Sequence, residues 1–239
     1  MITRIDKDSI EWPRPYSILG HAKFLKDNKK IWTKGNFRAS DQPTFRDKPY
    51  EWIKLQTAIL EKIKGKIIVE IGSSRVSLNH HPDNINLWCC NDGHSTQFWA
   101  MTGKEVHTVD VDNLTKVLSL TNQKYPKTFN AYQTDGITFL QQFNKEIDFL
   151  FLDYGEVSPT GPSYTPRQAA ESHMATYMIA SKNLADRHII GIDDTDVEDI
   201  QGKGQLLIPY LIESGYTVVA DGRQTILVNF DLTEVEKIL

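Results

Sequence analysis

Three aspartates carry the most suggestive chemistry in this 239-residue chain. Asp153 closes the run IDFLFLD, and Asp193 with Asp194 closes HIIGIDD. If the two runs are neighbouring strands of a parallel sheet, all three carboxylates meet at one edge, where their repulsion calls for a cation or strong hydrogen bonds. Hard oxygen ligands of this kind suit Mg2+ or a similar divalent ion, which keeps several waters and leaves positions for a substrate. The alternative is three solvated acids capping loops at strand ends.

Other residues at strand ends suggest a nucleoside ligand. Gly72 ends KIIVEIG and is either a tight turn beside a ligand or an ordinary strand-to-loop glycine. After a gap of 20 residues, positions 73 to 92, DGHSTQFWA reads as a helix entrance. There Gly93 precedes Ser95 and Thr96, whose surroundings either offer free N–H groups to a carboxylate or ribose or serve as plain N-caps. Asp110 in HTVDVD can accept hydrogen bonds from both hydroxyls of a ribose, with Asp112 the competing choice. Asp135 and Gly136 in TDGITFL can meet an adenine amino group, although Asp135 equally suits an N-cap. His173 stands four residues before Tyr177 on one helical face and either lines a pocket or packs, while Met174 and Met178 read as core. His80 and His81 read as a surface loop, because adjacent histidines seldom chelate one ion together. Lys203, flanked by Gly202 and Gly204, reads as part of a flexible lead into QLLIPYLIESG rather than as a mobile loop whose lysine meets an anionic acceptor.

The elements that must position these residues follow from periodicity. In KPYEWIKLQTAILEKIKGK, Trp52, Leu55, Ile59, Leu60 and Ile63 make one apolar stripe on a helix, with Gly65 as its stop. A strand, KIIVEI, follows at once. EVHTVDVD, FNAYQTD, IDFLFLD and HIIGIDD are short apolar or β-branched runs that each end at an acid, with helical patterns such as GITFLQQF and PRQAAESHMATYMIASKNL among them. Such alternation predicts βαβ units and a parallel sheet that binds ligands at the carboxyl ends of its strands. At the end of the chain, YTVVA and QTILVNF are separated only by DGR, a turn composition that makes an antiparallel hairpin. We therefore expect one domain over residues 50–239, with an insertion at about 73–92. The preceding residues, 1–49, form an extension whose Trp12, Tyr16, Trp32 and Arg38 act as a lid or an oligomer contact.

Composition bounds the partners. A net charge of −4 argues against a broad electrostatic nucleic-acid surface, and 40% hydrophobic residues suffice for a substantial core. The two cysteines, Cys89 and Cys90, are sequence neighbours that make no disulfide framework. No apolar run approaches the roughly 20 residues that span a bilayer, and the first residues lack a signal-like apolar stretch, so a cytoplasmic protein is expected.

Taken in order, IIVEIG with DGHSTQFWA, then VHTVDVD, TDGITFL, IDFLFLDY and IIGIDDT before a C-terminal hairpin, the chain resembles the class I S-adenosylmethionine-dependent methyltransferases over roughly residues 50 to 230. It is most similar to the metal-assisted small-molecule O-methyltransferases, such as the catechol and macrocin enzymes. The resemblance implies a Rossmann-like, doubly wound, mostly parallel seven-stranded α/β sheet finished by an antiparallel hairpin. It implies methyl transfer from S-adenosylmethionine to a hydroxyl of a small-molecule acceptor, assisted by a divalent cation, Mg2+ first among them. By the same carry-over Glu70 and Gly72 border the methionine moiety, Ser95 near Gly93 supports its carboxylate, Asp110 holds the ribose, and Asp135 with Gly136 lies near adenine. Asp153, Asp193 and Asp194 stand at the metal-triad positions, Asp-Asp where the catechol enzyme carries Asp-Asn.

Two departures stand out. The catechol enzyme has a lysine shortly after its first metal aspartate to take the acceptor's proton, whereas LDYGEVS offers none, which leaves Glu156 and His173 as candidates for the general base. The insertion lengthens the loop that normally hugs the cofactor, and Gly72 and Gly93 are expected to lie close together on one side of it. Two rival readings are a nicotinamide-dependent oxidoreductase, which calls for a compact G-x-G-x-x-G where this chain has GSSRVS, and a non-catalytic cofactor-binding module whose acids serve only as caps.

Overall fold

The structure, a computed structural model, describes residues 3–4, 56, 58–73, 95–96, 99, 103–111, 129–155, 166–195, 202–221 and 224–231. Among these, eight strands form one sheet: β1 (Thr3–Arg4), β2 (Ile67–Ile71), β3 (Glu105–Asp110), β4 (Phe129–Gln133), β5 (Ile147–Leu152), β6 (Leu184–Ile192), β7 (Thr217–Ala220) and β8 (Thr225–Val228). Their spatial order is β1-β4-β3-β2-β5-β6-β8-β7. The pairs from β4 through β6 are parallel, and β8 joins β6 antiparallel with β7 at the edge. The seven strands β2 to β8 are thus the expected sheet with its hairpin. Residues 3–4 add an eighth, β1, which sets Thr3 opposite Gln133 and Arg4 opposite Tyr132.

Both faces of the sheet are covered, as side-chain alternation requires. Ile68, Phe149, Phe151, Ile189, Ile226 and Val228 point to one face and share a core with Ile59, Leu60 and Trp99. Their neighbours Val69, Leu150, Leu152, Ile190 and Leu227 point to the other, where they meet Phe139, Tyr177, Leu207 and Leu211. Strands buried on both faces read as continuous apolar runs, which is why IDFLFL and HIIGI lack polar alternation. Trp99 anchors the first face, its ring edge-on to Phe149 at 5.0 Å and to Phe151 at 5.8 Å. The second face carries α1 (Gly136–Gln142), α2 (Pro166–Ala180) and α3 (Leu207–Glu213). Asp135 caps α1, accepting the Thr138 N–H at 2.8 Å. Pro166 opens α2, at the first helical position where a missing N–H costs nothing.

The helix that precedes β2 ends differently from expectation. Gly65 was the expected stop, but Lys64 adopts the left-handed conformation, φ 57°. The Gly65 N–H reaches the Leu60 carbonyl at 2.9 Å and the Lys64 N–H that of Glu61 at 3.0 Å, the two bonds of a Schellman motif. Gly65 is needed for space instead: a Cβ there would lie 2.4 Å from Leu60 Cδ1 and 2.9 Å from Asp148 Cβ. Asp148 in turn accepts the N–H groups of Lys66 and Ile67, both at 2.8 Å, and ties the start of β2 to β5.

The chain runs outward from β2 through β3 to β4, then crosses back to β5 on the other side of β2. That reversal falls between the carboxyl ends of β2 and β5, the usual ligand position in open α/β sheets. The hydrogen-bond ladder continues past the strands and aligns the residues there. Gly72 N–H bonds the Val109 carbonyl at 2.8 Å, Asp153 N–H that of Ile71 at 2.9 Å, and Asp193 N–H that of Leu152 at 3.0 Å. No helix among the described residues is long and apolar enough to cross a membrane.

Candidate functional site

Gly72 is the pivot of the carboxyl edge. Its φ of +87° favours glycine, and a Cβ would lie 2.4 Å from the Asp153 carbonyl oxygen and 2.7 Å from Tyr154 Cβ. The backbone of the first acidic strand end therefore crosses directly over this turn. The next residue, Ser73, donates its N–H to Asp110 Oδ2 at 2.8 Å, which draws the turn toward the end of β3. Asp110 is nearly buried, and its backbone carbonyl also accepts the Thr134 N–H at 2.8 Å. Both acids expected to meet a nucleoside, Asp110 and Asp135, thus stand at consecutive strand ends of the same edge. Asp135 acts as the α1 cap. Its partial burial raises its pKa, but hydrogen bonds from Thr138 and neighbouring backbone outweigh this and hold it below the usual carboxylate range. Gly136 lets α1 approach β2, since a Cβ there would lie 2.5 Å from Ile71 Cγ2.

On one side of Gly72, within β2, Glu70 is wholly buried. Ser95 Oγ donates to its Oε1 at 2.5 Å, while the hydroxyls of Thr96 and Thr108 (2.9 Å for Thr108) donate to its Oε2. Burial, assisted by the Asp110 charge, pushes the Glu70 pKa up to about 7 against the lowering effect of the three hydroxyls. Glu70 was expected to border a ligand. Its carboxylate ties the helix entrance at residues 95–96 to β2 and β3, with the Ser95 hydroxyl as one of its donors. Thr108, whose hydroxyl completes this cluster with that of Thr96, was missed because a threonine inside a strand reads as β-propensity.

On the other side, Asp153, Asp193 and Asp194 converge as expected, each offering a carboxylate oxygen within 4.8 Å of the others. Asp194 adopts a left-handed conformation with φ 55°, a strained state for a residue with a side chain. Lys203 enters the same cluster. Its Nζ lies 3.0 Å from Asp194 Oδ2 and 3.3 Å from Asp153 Oδ1, and its side chain is only 2% exposed. The expectation of a flexible lead at 202–204 is therefore corrected. Lys203 N–H bonds the Asp194 carbonyl at 3.1 Å. Gly202, with φ +57°, has no room for a Cβ beside the Thr195 carbonyl, 2.7 Å away. Three carboxylates and one ammonium leave two formal negative charges, so the oxygen donor set still fits one hard divalent cation.

His173 lies behind this cluster rather than in it. It is fully buried; the Tyr154 carbonyl accepts from its Nε2 at 2.9 Å, and its ring sits 4.6 Å from that of Tyr154. Tyr154 is held from α2 as well, through a 2.6 Å hydrogen bond between its hydroxyl and that of Thr176. Burial and the nearby Lys203 charge push the His173 pKa down to about 3. The geometry speaks against the expected base role, since an acceptor cannot reach a ring with no exposed surface and so low a pKa gives little proton affinity near neutrality. Tyr177, expected on the same helical face, packs in the core and bonds Tyr216 OH at 3.0 Å, and Met178 is exposed rather than core. Gly93, Glu156, Asp112, His80, His81, the two cysteines and most of the insertion lie outside the described residues. The expected closeness of Gly72 and Gly93 falls there too.

The sequence matches no protein-family profile and no curated protein. Solved structures do match. A Podospora anserina methyltransferase, PaMTH1, determined with S-adenosylhomocysteine bound, aligns with a TM-score of 0.51 at 15% identity over 87% of each chain. The MycE methyltransferase of the mycinamycin biosynthetic pathway, determined with Mg, S-adenosylhomocysteine and mycinamycin VI, aligns with a TM-score of 0.52 at 10% identity. That match takes in 85% of this chain and 53% of MycE. These two alignments over most of the chain, on a mostly parallel sheet finished by an antiparallel pair, lead to one structural conclusion: this chain has the fold of the class I S-adenosylmethionine-dependent methyltransferases.

Proposed function

We propose that this protein moves a methyl group from S-adenosylmethionine to a hydroxyl of a small-molecule acceptor, with Asp153, Asp193 and Asp194 holding a divalent cation. The observation that carries the reading is the single row at the carboxyl edge, in which the Gly72 turn, Asp110 and the three-carboxylate cluster lie on adjacent strands. The Gly72 turn and Asp110 are suited to the methionine and ribose ends of the cofactor, and α1 with Asp135 flanks the adenine side. A bound divalent cation supplies Lewis acidity that lowers the pKa of an acceptor hydroxyl and orients it. The chain's own part is to hold the carboxylates at fixed spacing, keep the carboxyl ends of β2 and β5 rigid, and align donor with acceptor. The MycE complex, which contains Mg and S-adenosylhomocysteine on the same fold, supports this reading. A net charge of −4 favours a small-molecule acceptor over a nucleic acid.

Calorimetric titration with S-adenosylhomocysteine tests the cofactor assignment. We expect saturable binding by the wild type and at least about tenfold weaker binding by Asp110→Ala, a loss of about 1.4 kcal/mol. No heat of binding at millimolar ligand sinks the proposal. Retained affinity in the variant removes Asp110 from the ribose site.

A further inference from the structure

The triad contains a cation of its own, and neither the fold nor the ion-site reading calls for it. Lys203 comes from the segment between β6 and α3 and reaches carboxylates on two different strand ends, Asp153 after β5 and Asp194 after β6. Burying a lysine this completely is unfavourable unless its charge is matched, and here two ion pairs match it, the one to Asp153 also a hydrogen bond. Its backbone is clamped as well. Asp194 O accepts the Lys203 N–H at 3.1 Å, and Gly202 and Gly204 sit so close to Thr195 that a Cβ on either would lie within 3.1 Å of it. The ammonium is thus built into the cluster rather than borrowed from a passing surface chain.

We infer that Lys203 is the resident cation of the Asp153–Asp193–Asp194 cluster, a positioning residue that holds these carboxylates together and competes with a divalent ion for Asp153 and Asp194. This rests on the reading of the cluster as an ion site. Two consequences follow from Coulomb's law at these separations. The carboxylates stay gathered when no ion is bound, because one positive charge already lies between two of them. An incoming divalent ion would meet the like charge of an ammonium that already contacts two of the three carboxylates, so its affinity is set below what three carboxylates alone give. Lys203 tunes the site toward weak, readily exchanged ion binding.

The full-length wild type, Lys203→Met and Lys203→Arg separate these effects when each is titrated with MgCl2 by calorimetry and melted in chelator and in millimolar Mg2+. The expected result is Mg2+ binding at least about tenfold tighter in Lys203→Met than in the wild type. Lys203→Met should also melt lower in chelator and recover most of that loss on adding Mg2+, while Lys203→Arg behaves as the wild type does. Should Lys203→Met fail to fold in chelator, folding on addition of Mg2+ is the expected outcome, and failure to fold at saturating Mg2+ overturns the inference. Equal or weaker Mg2+ binding by a natively folded Lys203→Met also overturns it, as does the absence of Mg2+ binding in all three proteins. The ion titrations contain no cofactor. A wild type that fails to bind S-adenosylhomocysteine in chelator therefore sinks the methyl-transfer proposal and leaves the Lys203 result to stand or fall by itself.

Discussion

Two acidic clusters flank Gly72, and they hold their negative charge by opposite means. Glu70 is enclosed among neutral hydroxyls, with burial raising its pKa to about 7, so near neutrality much of its charge is removed by a proton. Asp153, Asp193 and Asp194 are half-buried, and their charge is met by the ammonium of Lys203. The first solution suits a structural tie, because hydroxyl donors fix position without creating an electric field toward the carboxyl edge. The second preserves a field of two negative charges at the open edge, where a cation can respond to it. Burial depth decides between them: full desolvation disfavours three adjacent charges, whereas a partly wet edge tolerates them with one counter-charge.

Removing the bare backbone between the clusters should have the largest effect. Gly72→Ala demands a left-handed conformation of a residue with a Cβ and drives that atom to 2.4 Å from the Asp153 carbonyl oxygen. Strain of about 1–2 kcal/mol for the backbone and about 1–3 kcal/mol for overpacking should together lower stability by about 4 kcal/mol. In a domain of this size that is a fall in melting temperature of roughly 10 °C, readable by circular dichroism. Because the intruding Cβ pushes on Asp153, Mg2+ binding should weaken as well. A variant that melts with the wild type shows that the two clusters are not mechanically coupled through this turn.

The next effect separates a proton-neutralised acid from a cation-neutralised one. The native Glu70 pKa lies above its unfolded value, so between about pH 4.5 and pH 7 the native state holds a proton that the unfolded chain has released. The stabilisation is complete below that window and is lost as pH rises through 7. A shift of this size corresponds to about 3 kcal/mol at most. Glu70→Gln has no proton to release there. Urea midpoints measured from pH 4 to pH 8 should therefore show the wild type losing stability relative to Glu70→Gln as pH rises. A difference between the two proteins that stays flat with pH means the Glu70 carboxyl is not proton-neutralised at all.

The same contrast explains what could be read from the sequence. The strand ends near Gly72, Asp110, Asp135, Asp153 and Asp193 were legible because each follows a short apolar or β-branched run that breaks at a glycine or an acid. The convergence of Asp153 with Asp193 and Asp194 followed from placing two such runs side by side. Lys203 was not legible, since Gly-Lys-Gly has the local composition of a loop and its meaning lies in contacts 50 residues away, at Asp153. The hydroxyls around Glu70 were hidden for the same reason: Thr96 and Thr108 are separated from Glu70 by 26 and 38 residues. Local signals also misassigned the stop before β2, where a Schellman turn needs one residue at positive φ and the chain uses Lys64, keeping Gly65 for its closeness to Leu60 and Asp148. Sequence spacing left His173 open between lining a pocket and packing, and its depth behind Tyr154 is a long-range contact that spacing alone does not show.

The smallest effect is expected from trimming the Glu70 cluster by one donor. Thr108→Val keeps the branched shape on β3 and removes the hydroxyl that bonds Glu70 Oε2 at 2.9 Å. Losing one buried hydrogen bond to this acid should lower stability by about 1 kcal/mol at pH 7. The penalty should shrink at low pH, where Glu70 is fully protonated and its acceptor demand is weaker, because the Thr108 hydroxyl lowers the Glu70 pKa and its loss raises it further. The pH at which the wild type sheds stability should therefore move upward in Thr108→Val. Mg2+ affinity should stay at the wild-type value, since Thr108 touches neither Lys203 nor the aspartates it bridges. Equal pH profiles for Thr108→Val and wild type would mean that desolvation alone sets the Glu70 proton and that the hydroxyls only fill space around it.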